Sequence, residues 1–137
     1  MSYYIICQSD QNPQYYPDNA PCSFKTKLRQ TLELNGQWEI ALTEITLREE
    51  HAKDDTLYIY TNICGESVIN GVNAPLLRRA VVPNNANTIF TPYYYLPVIK
   101  SEINEIEFNL ETERGRAASH LAKPVTVVLH LTRLQAE

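Results

Sequence analysis

At 137 residues, with 44% hydrophobic and 20% charged residues, the chain has the composition of one globular domain, residues 1–137, long enough to bury a core without staples. Its net charge of −4, with no basic block larger than Arg78-Arg79, excludes direct nucleic-acid binding by phosphate neutralisation. No apolar run approaches the ~20 residues of a membrane span, and Met1 to Cys7 lacks the basic region and long apolar core of a signal peptide, so no membrane role is expected.

Strand-like segments follow one another along the chain, and nothing sustains a helical period over three turns. Ser2 to Gln8 is the first. After a polar Asn/Pro/Asp loop comes Ser23 to Leu28, where Phe24, Thr26 and Leu28 alternate with Lys25 and Lys27. Asn35-Gly36 is then a hairpin-type turn signal, because both residues tolerate the positive φ of tight turns. Behind it, Trp38, Ile40 and Leu42 fall on one face of a strand, with Ala41 and Ile45 on the other. Both faces want cover, which places this strand inside a two-layer structure and makes Trp38, Ile40 and Leu42 the expected core anchor.

The best helical candidate, Leu47 to Lys53, is short, charged and without an apolar stripe. Asp54-Asp55 marks a turn into Leu57 to Ile63, with Leu57, Ile59 and Ile63 on one face and Tyr58 and Tyr60 on the other. Asn70-Gly71 is a second turn signal, followed by an extended Ala74 to Val82 broken by Pro75. Tyr93 to Ile99 is aromatic-rich and bracketed by Pro92 and Pro97, so it should lie at a sheet edge or carry an irregularity. Ile106, Phe108 and Leu110 then alternate with Glu105, Glu107 and Asn109. Finally Val125, Val127, Leu129 and Leu131 alternate with Thr126, Val128, His130 and Thr132.

Eight strands with almost no helix fit a jelly roll, an immunoglobulin-like sandwich or a lipocalin-type barrel. Cys22 and Cys64 flank Trp38, as an immunoglobulin pairing would want. The longer loops after the first strand, between Ile63 and Ala74 and between Val82 and Tyr93 suit strands that cross between two sheets. The expected fold is therefore all-β, a single eight-stranded jelly roll of two packed antiparallel sheets.

Chemistry finds little foothold, and no enzyme activity is expected. His51, His120 and His130 show no ligand spacing with one another or with a cysteine, so neither a metal nor another cofactor is expected. Asp54-Asp55 and Glu49-Glu50 are adjacent pairs, and Glu105 and Glu107 share a strand face at roughly 7 Å. The last pair could do glycosidase-type work in a groove, but it reads better as the wet side of an amphipathic strand. No serine sits in a nucleophile elbow, and four glycines form no phosphate loop. Three cysteines (Cys7, Cys22 and Cys64), without metal spacing, read as small buried apolar side chains of a protein made in the reducing cell interior.

The nine tyrosines are the unusual feature, clustered as Tyr3-Tyr4, Tyr15-Tyr16, Tyr58 with Tyr60, and Tyr93-Tyr94-Tyr95. Adjacent residues of a strand face opposite ways, so some of these rings must meet solvent or a partner. Tyrosine's large area and polar tip favour protein contacts. Tyr93, Tyr94 and Tyr95, in their proline-marked segment, are the candidate subunit-contact residues.

In order and spacing the segments resemble a known family. Tyr16-Pro17-Asp18-Asn19, Phe24-x-x-Lys27-Leu28 and Leu32-x-Leu34-x-Gly36-x-Trp38-Glu39-Ile40-Ala41-Leu42-Thr43-Glu44-Ile45 resemble the opening of the minor capsid proteins of Polinton (Maverick)-type elements and adintovirus-like viruses. Leu57 to Ile63, Gly71, Ala74-Pro75-Leu76-Leu77-Arg78, Tyr95-x-Pro97-Val98 and Val125-x-Val127-x-Leu129-His130-Leu131 continue the likeness, from about residue 15 to residue 133. The resemblance implies a penton-type structural protein of an icosahedral virion, made in the host cell cytoplasm. Five copies would form a ring at each capsid vertex, beside trimers of a double-jelly-roll major capsid protein. The alternatives are a small jelly-roll or sandwich binding module of lectin type, or a receptor-binding attachment protein.

Overall fold

The structure, a computed structural model, describes residues 2–11, 13–49, 55–83, 85–113 and 115–134, with the side chain of Asp55 left out. Glu50, His51, Lys53 and Asp54 lie outside these residues, and with them most of the helical candidate and one member each of two acidic pairs.

Eleven strands form, where eight are expected: β1 (Ser2–Gln8), β2 (Ser23–Glu33), β3 (Trp38–Leu47), β4 (Asp55–Thr61), β5 (Ser67–Ile69), β6 (Val72–Ala74), β7 (Leu76–Val82), β8 (Ala86–Ile89), β9 (Leu96–Pro97), β10 (Glu102–Glu111) and β11 (Thr126–Arg133). No helix occurs among the described residues. One antiparallel sheet has the order β1-β11-β3-β8, with the two-residue β9 also pairing β3; a second has the order β2-β10-β4-β7. The strands β5 and β6 make a separate hairpin, turned by Asn70 and Gly71 at φ 51° and 83°. Positive φ at both central residues is the geometry that Asn-Gly accepts and other pairs resist.

The three additional strands are β5, β6 and β8. The Asn and Thr of β8 give no apolar alternation to read, and β5 and β6 are only three residues each. The expected strand over Tyr93 to Ile99 shrinks to β9, because Pro92 and Pro97 bracket a segment that cannot supply a continuous ladder.

Two further expectations are corrected. Asn35-Gly36 does not turn a hairpin: β2 pairs with β10, whereas β3 pairs with β11, β8 and β9, so the turn carries the chain from one sheet to the other. Gly36 has φ +85°, and the Trp38 indole Nε1–H donates to the Asn35 carbonyl at 2.9 Å. Ile45, expected opposite Leu42, shares its face. Leu42 lies opposite Leu129 and Glu44 opposite Val128, which leaves Thr43 as an extra residue without a partner in β11. This bulge resets the period of two, so Ile40, Leu42, Ile45 and Leu47 all point into the core. The Thr43 hydroxyl is satisfied locally by donating to the Val128 carbonyl at 3.1 Å.

The two main sheets enclose one continuous buried cluster. It draws Trp38, Ile40, Leu42, Leu129 and Leu131 from the first sheet and Phe24, Leu57, Ile59, Ile106 and Phe108 from the second. Phe24 and Phe108 are register partners with ring centroids 5.2 Å apart. Each such fully buried side chain contributes about 1.5–3 kcal/mol relative to its exposed state. The Glu49 carboxylate closes one end by accepting from the backbone N–H groups of Ala122 and Lys123 at 2.7 and 2.9 Å.

Candidate interaction surface

Beyond β8 the chain leaves the ladder and crosses the outer face of the first sheet. His130 of β11 points to that face, opposite the buried Leu129 and Leu131, with Tyr4 and Ala41 as its register neighbours. Tyr95 meets it directly, its hydroxyl 2.7 Å from His130 Nδ1, and the Tyr4 ring lies 4.7 Å from the imidazole centroid. Tyr93 packs edge-on against Tyr95 at 6.2 Å. Ala41 is fully buried although it shares this outward face, so the aromatic group roofs that part of the sheet. Burial, reinforced by Tyr4, Tyr93 and Glu39, raises the pKa of Tyr95 above its ordinary value.

Tyr94 faces elsewhere. Arg78 of β7 inserts its guanidinium between two rings, 4.3 Å from the Phe90 centroid and 4.0 Å from that of Tyr94. It also donates to the Pro92 carbonyl at 3.0 Å. A planar cation satisfies two faces at once, which a lysine's point charge cannot do. The three candidate contact tyrosines are thus split by their supports. Tyr95 is turned onto His130, Tyr93 is 36% exposed beside it, and Tyr94 is 56% exposed above Arg78. Sequence reasoning singled out the triplet but missed Arg78. The only local signal was an arginine at a strand position that otherwise favours apolar residues.

Trp38, Ile40 and Leu42 are buried, and the Trp38 indole stacks on Tyr3 at 5.8 Å. Glu105 and Glu107, the carboxylate pair on β10, are engaged by neighbours. Glu105 accepts from the Tyr16 hydroxyl at 2.7 Å and faces the Lys25 ammonium at 3.9 Å, while Glu107 accepts from the Asn109 amide at 3.2 Å. Burial, with the Glu105 carboxylate beside it, pushes the Tyr16 phenol up to about 12. His120 is exposed; among the described residues no three His, Cys, Asp or Glu side chains converge as metal ligands do. Cys7, Cys22 and Cys64 are free thiols, and burial pushes Cys7 and Cys64 up to about 11.

Two open grooves complete the surface. One, of about 490 Å³, runs between β1 and β2; the other, of about 550 Å³, lies under the β5–β6 hairpin against Tyr60 and Glu111. No protein-family model matches the sequence, and a search of curated proteins finds no match.

Proposed function

We propose that the chain is a penton-type minor capsid subunit, a single jelly-roll domain of which five copies ring each vertex of an icosahedral virion. The ring sits beside a double-jelly-roll major capsid protein, as in the Polinton-type elements and adintovirus-like viruses that the sequence resembles. In this role the chain works by contact alone, without catalysis, cofactor, nucleic acid or membrane.

One observation carries the reading: the order in which the strands pair. Setting aside the β5–β6 hairpin and β9, eight strands remain. The first pairs the last (β1 with β11), the second the seventh (β2 with β10), the third the sixth (β3 with β8) and the fourth the fifth (β4 with β7). Such pairing is what an antiparallel ribbon of eight strands has when it is folded at its middle and rolled. Rolling then adds the contacts β11 with β3 and β10 with β4. This pairing order supports the jelly-roll reading, a design frequent in capsid and lectin domains. The design alone does not choose between them; the ordered sequence motifs and the exposed aromatic segment favour the capsid.

The groove beside Tyr60 and Glu111 gives some support to a lectin-type module, since a ring next to a carboxylate suits a sugar. Co-expression with a double-jelly-roll major capsid protein, followed by cryo-electron microscopy, separates the two. Density for this chain at the five-fold vertices supports the proposal. Closed particles with empty vertices, together with glycan binding by the free chain, refute it.

A further inference from the structure

The two main sheets have four outer strands, and the two of the second sheet, β2 and β7, are blunted against pairing with another chain. On β2 stand Lys25, Lys27 and Arg29, and the Asn19 side chain already holds the Lys25 backbone N–H and carbonyl, both at 2.9 Å. Its register against β10 is also broken, with Leu28 to Thr31 facing the single residue Asn104. The strand β7 carries Arg78 and Arg79 and its own register shift. In the first sheet β8 is short, four residues, but uncharged. Charges and bulges are usual protections of a sheet edge.

The strand β1 has none of them. All seven residues pair with β11 in unbroken register, no charge or proline occurs among them, and Tyr4 and Ile6 are each 65% exposed. Beside this edge the departure of Leu28–Thr31 from β10 opens the 490 Å³ groove, lined by Tyr3, Ile5, Leu28, Arg29 and Leu32 among others. No acidic residue lines it. A long, flat, uncharged edge above an apolar groove with one cation is a surface built to be covered.

We propose that β1 and this groove receive the β8 edge of a second copy of the chain, head to tail. The inference rests on the vertex-ring reading for its partner and supplies the surfaces. Two features of the sheet select β8. Because β1, β11, β3 and β8 alternate in direction, β8 runs opposite to β1, and a copy added in the same sense continues the antiparallel ladder. A single outward-facing cross-strand row runs Ile6–Val128–Glu44–Ile89, so the row ends in an exposed isoleucine at both edges, Ile89 being 61% exposed. Head-to-tail addition sets the two isoleucines side by side across the new pair of strands. A two-fold pairing of β1 with itself would leave Ile89 in water. Head-to-tail contacts use two different surfaces and close into a ring when the rotation fits.

The test uses the full chain in three forms: wild type, Ile6→Lys and Ile89→Lys, each checked for an unchanged circular dichroism spectrum and then examined by sedimentation velocity. Wild type should form a closed oligomer. Each variant alone should be monomeric, since each keeps only one working surface, and an equimolar mixture of the two should give a dimer and stop there. Wild-type chain that stays monomeric up to its solubility limit overturns the inference. So does Ile89→Lys that assembles like wild type, the signature of β1 pairing with itself. A pentamer that both variants still form overturns the surfaces and leaves the vertex reading intact. A closed ring of another number, disrupted by both variants, supports the surfaces and refutes the five-fold reading.

Discussion

Removing the indole of Trp38 deletes a side chain that is packed on Tyr3, set into the core and hydrogen-bonded to the Asn35 carbonyl. Trp38→Ala should therefore cost roughly 3–5 kcal/mol in urea unfolding, as for other large buried aromatics; a loss below about 1 kcal/mol would show that the ring does not support the core. The thiols supply a pH test. Folding raises Cys7 and Cys64 from an ordinary 9.0 to about 11, so the folded chain keeps protons that the unfolded chain releases. Their contribution is complete below pH 9.0 and is lost as the pH rises toward 11. Urea midpoints should accordingly fall across that window, and midpoints that stay flat would contradict the burial of both thiols. A thiol reagent at mildly alkaline pH should label the half-buried Cys22 before either of them.

At the scale of elements, the period of two in β10 and β11 was legible because each strand buries one face and wets the other. What local sequence could not carry was pairing. Asn35-Gly36 announces a turn, but a hairpin and a crossover between sheets begin alike, and only the partners of β2 and β3 decide which forms. Nor could Thr43 be read as a bulge, since the break belongs to its register against Val128 and Leu129. The turn itself is testable. Gly36 has φ +85°, and an added Cβ would stand 3.1 Å from the Arg133 guanidinium, the movable end of a long side chain. Gly36→Ala should cost about 1–2 kcal/mol from the backbone alone, read as a lower urea midpoint without a change in fold. The tyrosine triplet was legible as a surface feature, whereas the direction of each ring was not. Arg78 and His130, distant in sequence, set those directions. Changing Tyr93, Tyr94 and Tyr95 together to serine should impair assembly more than folding, measured as lost oligomer with a largely retained melting transition. Normal assembly of that variant would remove the triplet from the contact surface.

For the whole molecule, composition and strand spacing were enough for an all-β chain of antiparallel sheets, because alternation and turn residues are local signals that many segments repeat. The count rose from eight to eleven where strands were too short or too polar to alternate. The two antiparallel sheets leave two flanks where they end. The Arg78–Phe90–Tyr94 stack lies at the β7/β8 flank, and the groove lies open at the β1/β2 flank. Two unlike flanks suit a subunit that meets its neighbours head to tail around an axis. The most direct test of a vertex subunit is its native mass, measured by light scattering on the purified chain alone and again with the double-jelly-roll major capsid protein present. A mass of five chains, in either setting, is the predicted result. A mass of one chain in both, coupled with specific glycan binding, would contradict it.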